Sequence, residues 1–175
     1  MNRAFSMTDL GLLSQFLGLE IAQTKHGIKL NLCNYALDLL NKFNMKDYKP
    51  RKTPFLSGVK LEEADSSPMV NNTLYRKLIG CLLYLTHNRN DIYYAVSVAS
   101  IYMDQPHEIH WRAAKRMLNF IQGTRTHGIF YKAKSDLDLI GFTDSDWEGD
   151  NTDRKSTSIY VFMLVEGPIS CSSKK

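Results

Sequence analysis

The stretch that decides the fold reads Leu74-Tyr75-Arg76-Lys77-Leu78-Ile79-Gly80-Cys81-Leu82-Leu83-Tyr84-Leu85. Its apolar residues recur every three or four positions, which places them on one face of a helix: Leu74, Leu78, Ile79, Leu82 and Leu85. Two more segments with helical spacing follow, over residues 91–103 and 109–122, and Gly123 is a suitable end for the second of them. The sequence therefore predicts a helical centre.

The N-terminal side of this centre has the spacing of a β-hairpin. Residues 15–21 and 28–32 read as strands on either side of the turn Lys25-His26-Gly27. A short helix is predicted over residues 34–43, with Asn34 as its N-cap. Residues 49–72 then contain three prolines and many polar residues, which indicates a surface linker.

The C-terminal side changes from helical to strand-like spacing after Gly128. Strands rich in β-branched and aromatic residues are predicted over residues 128–131, 137–143, 158–165 and from residue 169 onward. With a hairpin and helices followed by these strands, the predicted class is α+β.

Composition limits the kinds of protein to which the chain can belong. Its 175 residues are 43% hydrophobic and 23% charged, which is typical of a globular protein. No apolar run approaches the roughly 20 residues of a membrane helix, and residues 1–6 lack the apolar core of a signal peptide. We therefore expect no membrane partner and a cytoplasmic or nuclear location. Cys33, Cys81 and Cys171 are too few and too widely spaced for a disulfide framework or a zinc site.

Charge divides the sequence into a basic part and an acidic part. Residues 1–135 contain 18 Lys or Arg and 10 Asp or Glu, a net charge of +8, whereas residues 136–175 contain 4 and 8, a net charge of −4. Arg112, Lys115 and Arg116 share one face of the last predicted helix, opposite its apolar residues. Such a ridge can follow a phosphate backbone, although a solvated helix face explains the same pattern equally well.

An acidic segment that follows a predicted strand offers candidate metal ligands. It begins like a calcium-binding EF-hand loop at Asp144, but Lys155 stands at the twelfth position, where a bidentate carboxylate is required. Asp144 fits better as one carboxylate of a two-metal phosphodiester site, which needs several such groups. From the residues alone, a simple turn aspartate is the favoured interpretation, because aspartate is a common turn former. His107 and His110 lie three residues apart, so they do not form the zinc-binding helix that needs a spacing of four.

Taken in order, these segments resemble the Pol polyprotein of copia-type retrotransposons over nearly the whole chain. Residues 7–21 resemble the end of the reverse transcriptase palm, and residues 75–86 are close to a family hallmark. Residues 110–124 resemble the thumb and connection helices, and residues 141–158 resemble the opening of a ribonuclease H. The sequence departs from the family pattern at Asn34, Asn90, Ile159 and Cys171.

The resemblance implies a parent polyprotein with RNA-directed DNA polymerase and ribonuclease H activities that depend on Mg²⁺. It implies that Asp144 is one ribonuclease H carboxylate and metal ligand, with Asp146 a less suitable substitute. The other carboxylates of both sites are expected outside residues 1–175, and losing members of a cooperative site removes most of its rate. We therefore expect no catalysis by this chain alone. The candidate contacts to an RNA/DNA hybrid are Arg112, Lys115, Arg116, Arg154 and Lys155.

The resemblance also suggests a division of the chain into four parts. These are the end of the reverse transcriptase palm with the start of the thumb (1–48), a linker (49–72), a helical thumb and connection region (73–127), and a truncated antiparallel ribonuclease H-like sheet (128–175). Three functions fit this division: an inactive part of Pol whose partner is the remainder of the polyprotein, a residual nucleic-acid-binding module, or a nuclease completed by a second chain.

Overall fold

The computed structural model describes residues 11–56, 61, 67–133, 138–145 and 158–174. The strands are β1 (Gln15–Phe16), β2 (Leu19–Thr24), β3 (Gly27–Asn31), β4 (Gly128–Lys132), β5 (Leu139–Ser145), β6 (Ser158–Leu164) and β7 (Gly167–Lys174). The helices are α1 (Cys33–Lys42), α2 (Asn72–Leu85), α3 (Tyr93–Ser100) and α4 (Glu108–Gly123), and a 3₁₀ turn (Asn90–Ile92) precedes α3. This mixture confirms the predicted α+β class.

The helices enclose one hydrophobic core, as the spacing of the central stretch predicted. Helix α2 is capped by Asn71, whose side chain accepts a hydrogen bond from the Leu74 backbone N–H at 2.9 Å. The prediction that Leu74 faces the core is wrong, because this side chain is 44% exposed and Tyr75 is buried in its place. The Tyr75 hydroxyl donates to the Ala99 carbonyl at 2.8 Å, which satisfies the buried polar group and ties α2 to α3.

The predicted hairpin is present, but its first strand is divided by a tight turn. Leu17 and Gly18 both have positive φ, +47° and +80°, as a two-residue type I′ turn requires, and they join β1 to β2. The predicted cap of α1 is also wrong. Leu32 is the N-cap residue, and the Asn34 backbone N–H donates to the Glu20 carboxylate at 2.8 Å. A side chain of the sheet therefore satisfies the first turn of α1.

The first sheet has the antiparallel order β1-β2-β3-β4, which corrects the placement of the strand at 128–131. The sequence pattern groups this strand with the later ones, whereas Ile129 lies opposite Leu30 in β3. Gly128 permits this pairing, because a Cβ atom at that position would lie 2.1 Å from the Leu30 carbonyl oxygen.

The second sheet is the antiparallel meander β5-β6-β7, and β7 connects it to the rest of the molecule. The Tyr131 hydroxyl of β4 donates to the Pro168 carbonyl at 2.5 Å, and Ser97 of α3 lies 3.5 Å from the Ser173 hydroxyl. Several large apolar side chains of this sheet are exposed: Leu139, Ile140, Phe142, Tyr160, Phe162 and Ile169. No helix among the described residues is long and apolar enough to cross a membrane.

Candidate nucleic-acid interface

One face of α4 packs into the core and the opposite face carries cations. His110, Ala114, Met117, Leu118 and Ile121 are buried, as the spacing predicted. The spacing also placed Ala113 on this face, but Ala113 is only half-buried and lines the groove described next. Arg112, Lys115 and Arg116 lie together along a groove of about 330 Å³ that runs beside α4. The structure thus brings together three of the five cations predicted to contact nucleic acid. Arg154 and Lys155 lie outside the described residues.

The three cations of α4 are held to different degrees. Arg116 is fixed, because its Nη2 donates to the Thr53 hydroxyl at 2.8 Å. Lys115 lies over the Trp111 ring, with Nζ 5.2 Å from the ring centroid. Arg112 is 77% exposed and pairs with Glu108 at 3.4 Å. An exposed pair of this kind contributes about 0.2–1 kcal/mol, so Arg112 can exchange Glu108 for a phosphate at little cost.

The opposite wall of the groove comes from residues 51–56, which lie in the segment predicted to be a linker. The Arg51 backbone N–H donates to the Asn119 carbonyl of α4 at 3.1 Å. At the end of the helix Pro50 packs closely on Gly123, where an added Cβ would lie 2.8 Å from the proline ring. Arg51 consequently joins the cations of α4 along the groove. The basic run Lys49-Pro50-Arg51-Lys52 was the available sequence signal for this wall.

The groove has an apolar floor below its cationic rim. Phe55, Leu56, Leu61, Ile109 and Ala113 line it, and Leu61 is only 5% exposed. The Phe55 ring meets Tyr94 edge-on, with the centroids 6.2 Å apart. A surface that combines apolar side chains with several cations suits an anionic ligand that also has a planar or apolar part.

A second, larger cleft of about 540 Å³ lies beside Arg89, a residue that the sequence did not single out. Arg89 is only 3% exposed and binds both carboxylate oxygens of Asp91, at 2.9 and 2.7 Å. It also donates to the Thr124 carbonyl at 2.9 Å and lies over the Phe120 ring. These contacts fasten the 3₁₀ turn to the end of α4, which makes Arg89 a structural residue.

Asp144 lies in β5 opposite Ile159, and its side chain is exposed. Within the described part of the chain, no three His, Cys, Asp or Glu side chains come together as a metal site would require. Asp146 lies outside that part.

Comparison with known proteins identifies the family. Residues 1–57 match the family described as reverse transcriptase (RNA-dependent DNA polymerase). The whole chain is 40% identical, over 175 residues, to the retrovirus-related Pol polyprotein from transposon RE2 of Arabidopsis thaliana, and 41% identical to that from transposon RE1. It is also 35% identical, over 176 residues, to the uncharacterized mitochondrial protein AtMg00810 of the same plant, 72% of which it covers. The chain belongs to the copia-type retrotransposon Pol family. It spans 12% of the length of each of the two Pol polyproteins. No solved structure matches it.

The match to reverse transcriptase covers only one wall of the groove in this copia-type Pol chain. It ends at residue 57, so Arg51 and Phe55 lie inside it, and α4 lies beyond it. The similarity to the two Pol polyproteins extends over the full length of this chain and therefore includes both walls.

The described residues of this Pol chain do not fit a magnesium site. Two-metal phosphodiester chemistry needs several carboxylates around ions about 3.5–4 Å apart. Among the residues that the structure describes, the exposed carboxylate of Asp144 belongs to no group of three or more such ligands. The role of Asp144 as a metal ligand therefore stays a prediction.

Proposed function

We propose that this copia-type Pol chain binds an RNA/DNA hybrid along the groove beside α4 and does not catalyse polymerisation or RNA cleavage by itself. The observation that carries the proposal is the convergence of Arg51, Arg112, Lys115 and Arg116 on one groove from two separate segments. The remainder of the Pol polyprotein would be the partner that supplies the catalytic groups.

Electrostatics favours a polyanion at this groove. Four cations line it, and residues 1–135 carry a net charge of +8. Each phosphate that these side chains neutralise releases counterions, which makes binding tight at low salt and steeply salt-dependent. Because phosphates carry no sequence information, the binding should be indifferent to base sequence.

The proposal that the chain lacks catalysis rests on the arrangement of its carboxylates. Asp144 is exposed in β5 and, within the described residues, is not part of any group of three or more possible metal ligands. A nucleophilic water or a primer 3′-hydroxyl needs metal ions held by several such groups. The chain would then contribute binding and positioning to Pol, with the chemistry performed elsewhere in the polyprotein.

We further propose that β5-β6-β7 is the opening of a ribonuclease H-like sheet. The resemblance at residues 141–158 and the antiparallel order support this assignment. Because β4 belongs to the first sheet, we place the start of this unit after β4 rather than at residue 128. Adding a chain that carries the rest of the ribonuclease H region tests the assignment. Restored RNA cleavage that Asp144→Asn removes would support it, and restored cleavage that survives this substitution would contradict it.

The hybrid-binding proposal is tested by titrating a labelled RNA/DNA hybrid at several salt concentrations. Replacing Arg112, Lys115 and Arg116 together with alanine should lower the slope of log K against log salt by up to about 2.7, since each phosphate contact contributes about 0.9. Arg51 would retain part of the affinity.

The matched control removes three exposed lysines that lie elsewhere: Lys25, Lys29 and Lys77. This variant has the same net charge as the groove variant and should keep most of the affinity and slope. Equal losses in the two variants would show that net charge alone acts and would contradict the groove. Absence of hybrid binding by the unmodified chain at low salt would contradict the proposal outright.

A further inference from the structure

We propose that the groove beside α4 takes unpaired nucleotides, with a base against the apolar floor and the phosphates at the cationic rim. This inference rests on the proposed function and specifies the strand that the groove recognises. It predicts that the chain prefers a hybrid with a single-stranded extension over a fully paired one.

The apolar floor distinguishes a single strand from a duplex. Leu56 is 48% exposed, and Phe55 and Ala113 line the groove beside it. A duplex presents sugars and phosphates to a protein surface and keeps its bases stacked inside, so it would leave these apolar side chains uncovered. An unpaired base offers a planar apolar face to an aromatic or aliphatic side chain, while its backbone remains within reach of surrounding cations.

Arg116 provides a second, independent indication of a ligand. Its Nε atom is buried and has no hydrogen-bond partner among the described residues, although its Nη2 is bonded to Thr53. A buried donor without an acceptor is costly, so an incoming oxygen at this position is favoured. Thr53 holds the guanidinium at the side of the groove. Because Nε has no solvent-exposed surface, a phosphate oxygen or a base carbonyl can accept from it only after the side chain turns toward the groove.

The test compares two hybrids of equal paired length, one blunt and one with a short unpaired tail. The first unpaired position carries 2-aminopurine, whose fluorescence falls when the base stacks. The unmodified chain should bind the tailed hybrid at least about five-fold more tightly, the lower limit for stacking one base, and should quench the probe. Equal affinity without quenching would overturn this inference and leave hybrid binding intact. Binding of neither hybrid would overturn both proposals.

A groove-filling variant separates the floor from the rim. Ala113→Leu adds apolar volume to the groove without changing the charge. Alanine and leucine both favour helices, so the substitution should leave α4 intact. It should bring the ratio of the two affinities close to one, because the filled floor can no longer accept a base. Gly80→Leu is the matched control, because Gly80 is exposed on α2, away from the groove, and a Cβ atom added there meets nothing within 4 Å. A tail preference that survives in Ala113→Leu would overturn the inference.

A second variant keeps the inference testable if Ala113→Leu fails to fold. Phe55→Ala removes the aromatic side chain from the apolar floor and should reduce both the tail preference and the quenching. A 5-iodouridine in the tail should crosslink to Phe55 or Leu56 in the unmodified chain. Crosslinks confined to residues outside the groove would overturn the inference.

Discussion

Replacing Asp91 with alanine is expected to lower the free energy of unfolding by about 3 kcal/mol. The substitution leaves the Arg89 guanidinium in a site where it is only 3% exposed and removes the carboxylate that binds it through two hydrogen bonds. Breaking a buried ion pair by removing one partner costs about 3–5 kcal/mol. The lower end applies here, because Asp91 itself is 41% exposed and water can enter in its place.

The partner substitution has a different expected magnitude. Arg89→Met removes the buried positive charge, so no unpaired charge remains in the buried site. It also leaves the Thr124 carbonyl without the hydrogen bond that Arg89 donates. Losing a buried hydrogen-bond partner costs about 1–3 kcal/mol, so we expect about 2 kcal/mol. In the Arg89→Met background Asp91 is an ordinary exposed carboxylate, and its replacement should change stability by less than about 0.5 kcal/mol. The coupling energy between the two residues is therefore about 2.5 kcal/mol.

Urea unfolding followed by circular dichroism measures all four proteins of this double-mutant cycle. In a chain of this size about 1 kcal/mol changes Tm by about 2–4 °C, so Asp91→Ala should lower Tm by about 6–12 °C. A loss below about 1 kcal/mol in Asp91→Ala, or additive effects of the two substitutions, would refute the argument that Arg89 fastens the 3₁₀ turn to α4.

Three further predictions concern single positions. Gly80→Ala should raise the free energy of unfolding by about 0.5–1 kcal/mol, because Gly80 is exposed inside α2 and an added Cβ meets nothing within 4 Å. Gly27→Ala should lower it by about 1–3 kcal/mol, because φ is +147° and the new Cβ would lie 2.1 Å from the Tyr131 carbonyl oxygen. Urea titration checks both. Burial raises the pKa of Tyr75 well above its usual value near 10, so the folded state keeps the neutral hydroxyl that the unfolded state loses. The stability that this raised pKa contributes is complete below pH of about 10 and is lost as pH rises further. Tyr75→Phe should lower the free energy of unfolding by about 1 kcal/mol at pH 7, because the hydrogen bond to Ala99 is lost. It should also flatten the alkaline decline in stability, measured by urea unfolding from pH 8 to 11.

The central helices were predictable because their spacing is a local property of the sequence. The predicted apolar stripe and the observed α2 agree at Leu78, Ile79, Leu82 and Leu85. Spacing alone could not choose between Leu74 and Tyr75, which are adjacent at the edge of the stripe. The choice depends on the Ala99 carbonyl, which accepts from Tyr75 and belongs to another helix.

Strand pairing was less predictable, since it depends on contacts between distant parts of the chain. The strand at 128–131 was located correctly, but its partner β3 lies far earlier in the sequence. The sequence gives no local sign that Gly128 must approach the Leu30 carbonyl so closely. The type I′ turn at Leu17 and Gly18 was not predicted for a different reason, since leucine rarely adopts positive φ.

The candidate site was half predictable. The spacing of Arg112, Lys115 and Arg116 placed them on one face of α4, and they do line one groove. The wall that carries Arg51 was not anticipated, because its prolines indicated a linker and its hydrogen bond to Asn119 is a tertiary contact. Arg89 was missed because a buried arginine cannot be told from an exposed one without its surroundings.

The most direct test of the account places binding and catalysis in one experiment. An RNA/DNA hybrid with an extendable, labelled primer end is incubated with the chain, Mg²⁺ and all four deoxynucleotides, and is then resolved on native and denaturing gels. The account predicts a retarded hybrid on the native gel, with primer and RNA of unchanged length on the denaturing gel. Primer extension, or RNA cleavage that Asp144→Asn abolishes, would contradict it.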